Sequence, residues 1–164
     1  MTPNPSPEQQ IVGCSLSNYL ADRRQRIVSE WMASVVSDPA VPAADRLTMV
    51  QLKDHIPQIL DDLSRTLEDA FSQEVKERAN WRAAIHGQVR WEQRFDIAQL
   101  IREISALRTV LIGHLAEFQD ARIPNFNGEL GLFAMVVLHS FLDRLIRISV
   151  EQFIATSTTT ERPG

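Results

Sequence analysis

The residue types with the most chemical capacity fall in one short stretch. Residues 86 to 96 read His86-Gly-Gln-Val-Arg-Trp-Glu-Gln-Arg-Phe-Asp, and His86, Arg90 and Gln93 sit at i, i+4 and i+7. That spacing makes one polar stripe along a helix. Val89 and Phe95 flank the stripe, and the next expected helix brings Glu103 and Arg108. If such a stripe is buried its groups must find partners, because each unpaired polar group costs about 1–3 kcal/mol. Glu103 is the natural counter-charge. Two uses follow. One is a structural network that holds two helices in register; the other is a small anionic or polar ligand held by His86 and Arg90.

Other chemistries find fewer carriers. A di-metal helical bundle needs Glu-x-x-His on two helices, so that both ligands turn inward together. This sequence has no such pair; His114 and Glu117 show the separation once, in reversed order. Zinc is disfavoured because Cys14 is the only cysteine. Haem needs a single proximal histidine, so His55, His86, His114 and His139 are each formally eligible. No hydrolase elbow, phosphate loop or dinucleotide fingerprint is present. His139 and Ser140 are adjacent and point about 100° apart on a helix, which is wrong for a base and its nucleophile. Arg23, Arg24 and Arg26 are interleaved with Asp22 and Glu30 and read as a solvated face rather than a phosphate site. The expectation is no enzyme, no metal and no cofactor.

These residues must be positioned by helices. The 164 residues are 44% hydrophobic, 23% charged and 7% aromatic, with six glycines, and no window alternates with period two. The fold class expected is all-α: an antiparallel bundle of about five helices, globin-like or four-helix-bundle-like. Residues 1–16 read as a flexible tail, with a short helix around Gln9–Cys14 as an option, and Ser17 as the cap of a first helix to about Val36. Thr48 with Gln51 reads as a capping box, and Pro57 as a kink or the first turn of a second segment. A third helix follows the polar stretch 72–80 and runs to about Gln93; Asp96 caps a fourth. Asp120 to Gly128, with Pro124, Asn125 and Asn127, reads as a loop. The last helix, about 129–155, carries two apolar seams, and 156–164 reads as a second flexible tail. One seam is Leu138, Phe141, Leu145 and Ile148; beside it run Met135, Leu142, Ile146 and Phe153. A helix apolar on two faces is central or shared, so Leu138, Phe141, Leu142, Leu145 and Ile148 are the expected dimer interface.

Net charge is −4 with no basic excess, which argues against nucleic acid and anionic membrane. The apolar run Leu130–Leu142 is too short to span a bilayer. Met1 to Pro7 has no cation and no apolar core, so no secretion signal is expected. With a lone cysteine these features point to the cytoplasm.

Three blocks carry a resemblance. They are Ile27-Val-x-x-Trp31; Leu47-Thr-x-x-Gln-Leu52-x-Asp-His55-Ile-Pro57-x-Ile-Leu60-x-x-Leu63; and His86-Gly-x-x-Arg90-x-x-Gln93-x-Phe95-Asp96-x-x-x-Leu100-x-x-Glu103-x-x-x-Leu107-Arg108. With the last helix they cover most of residues 17–155, and together they resemble the RsbRD N-terminal domain family. Its members are input domains of stressosome co-antagonists and of bacterial sensor histidine kinases. The resemblance implies a non-catalytic sensory or regulatory domain that does not bind haem. It would dimerise and pass a signal through its C-terminal helix to a kinase, anti-sigma or stressosome-type partner. His55, His86, Arg90 and Glu103 match the family's polar positions. No output domain follows Phe153 in this sequence, so the expectation is an excised input domain or one that signals by contact. The alternative is a haem- or metal-binding sensor using His55 or His86.

Overall fold

Ser6 starts the first helix. Its hydroxyl accepts from the Gln9 amide at 3.2 Å while the Gln9 side chain accepts from the Ser6 amide at 2.9 Å, a reciprocal cap that satisfies two otherwise orphaned donors. Pro7 follows in the first turn, where its missing donor costs nothing. The computed structural model describes residues 4–122 and 128–161. Over them the chain is an all-α bundle with no strand. The helices are α1 (Pro7–Asp22), α2 (Arg24–Val36), α3 (Met49–Lys53), α4 (Ile56–Glu68), α5 (Gln73–Glu92), α6 (Ile97–Arg122) and α7 (Gly128–Thr159), with a 3-10 turn at Ala44–Arg46.

Several boundaries differ from the sequence reading. Residues 7–16, expected as tail, are helical, and Val12 and Leu16 are buried. Ser17 caps nothing: it lies buried inside α1 and donates to Glu68 Oε1 at 2.6 Å. The helix expected from Ser17 to Val36 is two helices, broken at Arg23. The polar stretch 72–80 is itself the start of α5, capped by the Ser72 hydroxyl on the Val75 amide. Thr48 and Gln51 do form their capping box, and Pro57 sits in the first turn of α4, so it begins a segment instead of bending one. α7 continues to Thr159, into the expected second tail. Of the expected loop, residues 123–127 lie outside the described residues, as do 1–3 and 162–164 of the two tails.

The core forms where the apolar stripes meet: Ile27 and Trp31 from α2, Leu63 from α4, Leu107 and Leu111 from α6, and Leu142 from α7. Fully burying a side chain of this size contributes about 1.5–3 kcal/mol. Two glycines set the closest helix approaches. A Cβ on Gly13 would stand 2.0 Å from the Leu67 carbonyl oxygen, and one on Gly87 would stand 2.0 Å from that of Ser149. α1 therefore meets α4 backbone to backbone, and α5 meets α7 in the same way.

The α5–α7 interface is the most extensive in the molecule. Along it Asn80 shares a crevice with Phe141 and Arg144, the Ser149 hydroxyl donates to the Ala83 carbonyl, and Gly87 abuts Ser149. The residue numbers rise together, so these two helices run parallel, and the alternation of a strictly antiparallel bundle does not hold there.

α7 is enclosed by α1, α4, α5 and α6. The seams expected to form a dimer interface pack against helices of the same chain. Leu138, Phe141, Leu142 and Leu145 are buried within the single chain, and Ile148 is partly buried against the same core. Both seams are apolar because α7 has neighbours of its own chain on several sides. The exposed large apolar residues of α7 are Leu132, Val136 and Ile154.

Candidate functional site

The polar stripe of α5 is buried, and it meets α6 where the sequence placed its counter-charge. α5 ends in a turn that aims the stripe. Arg94 takes φ 66°, the Phe95 amide donates to the Arg90 carbonyl at 3.0 Å, and the Arg94 amide donates to that of Trp91 at 3.1 Å. This is a Schellman closure. It folds Phe95 back under Arg90, whose guanidinium carbon lies 4.9 Å from the ring centroid. The Asp96 carboxylate then accepts from the Gln99 amide at 2.8 Å and starts α6.

Glu103 is 0% exposed, His86 0% and Arg90 1%. Glu103 Oε1 accepts from Arg90 Nε at 2.7 Å and lies 2.9 Å from His86 Nε2. Burial alone would push the Glu103 carboxyl up; the charges of Arg90 and His86 and their hydrogen bonds outweigh it and hold the group below its ordinary value. Glu103 is thus a carboxylate and can only accept, so His86 Nε2 carries the hydrogen between them. Arg90 spends its remaining donors on the Leu52 carbonyl at 2.6 Å, the Gln51 carbonyl at 3.5 Å and Gln93 Oε1. Gln93 Nε2 donates in turn to the Gln51 carbonyl at 3.3 Å. Trp31 of α2 donates its indole N–H to the Glu103 carbonyl at 2.9 Å. Arg90 together with the side chain and backbone carbonyl of Glu103 thereby ties α2, α3, α5 and α6 together. Two atoms of this hub, Glu103 Oε2 and His86 Nδ1, are buried without a hydrogen-bond partner.

His86, Arg90, Gln93 and Glu103 come together as expected; His55 and Arg108 do not join them. His55 stands at the N-terminus of α4, with Nε2 3.7 Å from Asp54 Oδ2. Burial pushes its pKa down, the Asp54 charge opposes this, and His86, Arg90 and Arg82 add to the lowering. Arg108 pairs with Asp143 of α7 at the surface. Trp31 and the Gln51 and Leu52 carbonyls were not anticipated as members. An indole on an apolar face carries no sign of its partner, and a backbone carbonyl is invisible to any reading by residue type.

His114 and the arginines of the 23–26 run are held by neighbouring groups. His114, 2% exposed, places Nε2 2.8 Å from Glu30 Oε2 and Nδ1 4.0 Å from Glu117. Arg26 bonds both of those acids, and Arg24 pairs with Asp61 at 2.9 Å. Arg23 lies over the Tyr19 ring, 3.6 Å from its centroid. The arginine run is thus neutralised by neighbouring acids and an aromatic face. Among the described residues no group of three His, Cys, Asp or Glu side chains is placed to hold a metal ion. At His86, Nε2 is taken by Glu103, so an axial bond to iron through that atom would have to displace the carboxylate. Among the described residues no helix is long and apolar enough to cross a membrane.

What the site can do follows from its closure. The His86, Arg90 and Glu103 side chains have no exposed surface to offer a substrate, but their network fixes the relative placement of four helices through few atoms. The residues define a helical bundle organised on a buried His–Arg–Glu hub. No family model, curated protein or solved structure matches the chain.

Proposed function

We propose that this chain is a non-catalytic bacterial signal-input domain of the RsbRD N-terminal type, cytoplasmic and acting on a kinase or stressosome-type partner. The observation that carries the reading is the hub. Of the polar residues quoted for the resemblance in the third block, His86 and Arg90 meet Glu103 and Gln93 is held by Arg90, and this network joins four helices. A catalytic group needs access to substrate, whereas this one is sealed and instead sets helix packing. The two unpartnered atoms, Glu103 Oε2 and His86 Nδ1, support a second arrangement of the same groups, and two packings of one core are what a switch requires. The signal would leave through α7, whose backbone touches Gly87, the neighbour of His86. Association of two copies belongs to the proposal as well, through the exposed edge of α7 at Leu132, Val136 and Ile154 in place of its buried seams.

Hydrogen–deuterium exchange on the wild type and Glu103→Gln tests transmission. Faster exchange is expected at α3, α5 and α6 and also along residues 145–159 of α7. Change confined to the first three helices would sink the route through α7. Sedimentation of the wild type against Leu132→Glu/Val136→Glu tests association: a shift from dimer to monomer is expected, and a monomeric wild type at tens of micromolar removes that part.

A further inference from the structure

A groove beside α7 carries charge of one sign only. It runs between the end of α4 with the following Ala70 and Phe71, the first turns of α5, and the outer side of α7, and encloses about 370 Å³. That volume falls within the roughly 300–1,000 Å³ usual for small-molecule sites. Phe71, Phe133, Val136 and Phe141 form apolar walls, while Lys76 and Arg144 are the only ionisable residues among its described lining.

Arg144 is the unusual member. Its Nη2 atom is buried without a hydrogen-bond partner. Burial pushes its guanidinium down from the ordinary value, and the Arg147 charge adds to the effect. Asp62, which lines a neighbouring crevice with Arg144, is already engaged by Arg82 and Arg78. Taking a cation out of water without a counter-charge is unfavourable. An anion entering the groove would meet Lys76 and the Arg144 guanidinium, both on its wall, and the aromatic walls would take whatever apolar body came with it.

We propose that this groove binds a small anionic amphiphile, an aliphatic carboxylate whose head group pairs with Arg144 and Lys76 and whose chain lies against Phe71, Phe133 and Val136. The planar guanidinium matches a carboxylate with two parallel hydrogen bonds, and Lys76 adds a point charge. The Ser140 hydroxyl, also on the groove wall, is a further donor. The inference concerns binding by the chain itself and stands or falls independently of what the chain reports to.

Titration calorimetry of the full chain with octanoate tests it, with octan-1-ol and octylammonium as neutral and cationic counterparts. Octanoate is expected to bind with a Kd in the micromolar range, octanol at least tenfold more weakly, and octylammonium not at all. Arg144→Gln should weaken octanoate at least tenfold while circular dichroism shows the same helical content. Ser140→Glu, at an exposed position on the wall, should do the same by placing a like charge there. If Arg144→Gln fails to fold, Ser140→Glu decides alone. An octanoate Kd above about 1 mM, equal affinity for octanol, or undiminished octanoate binding by either folded variant overturns the proposal.

Discussion

Replacing Glu103 by Gln keeps the side chain's size and removes its charge, which isolates what that charge does. In the wild type Oε1 accepts from Arg90 Nε at 2.7 Å and sits 2.9 Å from His86 Nε2, all three residues being sealed from solvent. The substitution leaves the Arg90 guanidinium buried with only dipoles for company: the Leu52 and Gln51 carbonyls and the Gln93 amide. Breaking a buried pair by removing one partner costs about 3–5 kcal/mol. The surviving bonds to Leu52 and Gln93 put this case at the lower end, about 3 kcal/mol, a large share of a typical total of about 5–15 kcal/mol. With a urea slope of about 2 kcal/mol per molar, the unfolding midpoint should fall by about 1.5 M. The pH dependence supplies a second check. The folded state holds the Glu103 carboxyl below the ordinary carboxylate value, so its stabilisation is present above that ordinary value and is lost as pH falls through the lower folded one. The acid limb of the wild-type stability curve should therefore be shallower in Glu103→Gln. Pairing the change with Arg90→Met should recover part of the loss, since no buried cation then remains. A single-variant cost below about 1 kcal/mol, or strict additivity in the double variant, would refute the hub as the joint of the fold.

Three further outcomes follow. Gly87→Ala should cost about 2 kcal/mol or more in urea unfolding, because its Cβ would meet the Ser149 carbonyl at 2.0 Å; Gly113→Ala, with nothing within 4 Å, should gain about 0.5–1 kcal/mol. Equal effects at the two sites would contradict the close α5–α7 contact. Leu145→Glu should unfold the monomer, seen as lost helical circular dichroism at every concentration, because the position is 4% exposed; a folded variant that merely dissociates would restore the seam as an interface. His55 has a folded pKa below the ordinary histidine value of 6.5, so its neutral form favours the folded state, and that contribution is lost as pH falls below 6.5. A proton NMR titration should place its midpoint under 6.5, and a midpoint above it would refute the burial argument.

The sequence made the hub legible because helical spacing alone puts His86, Arg90 and Gln93 on one face, and a buried cation requires a carboxylate. Glu103 was the nearest one available from the next helix. Arg108 lies five residues on from Glu103, which turns it to another face of α6, where Asp143 takes it. The first ten residues of α1 read as tail, with only an optional short helix around Gln9–Cys14, for a local reason. Ser6 and Gln9 form the same cap as Thr48 and Gln51, but the prolines around Ser6 and the weak apolar period behind it look like a tail. The Gly13 contact with α4 and the buried Leu16, Tyr19 and Leu20 hold the helix in place, and these are tertiary facts. The α7 seams show the complementary limit. Periodicity counts the apolar faces of a helix without saying whether the same chain or another covers them.

The contact between Gly87 and Ser149 also has a mechanical meaning. Ser149 lies about 15 Å from the end of α7 at Thr159 and about 24 Å from Phe133 in the groove, at 1.5 Å per residue. Were α7 to turn about that contact, near one third of its length, it would act as a lever with unequal arms. Tilting α7 by about 10° at that point would carry Thr159 about 2.6 Å one way and Phe133 about 4 Å the other. The pivot adjoins His86, so the hub sits at the fulcrum while the groove occupies the long arm. Small displacements of the groove wall and of the helix end are thereby geometrically bound to the same joint.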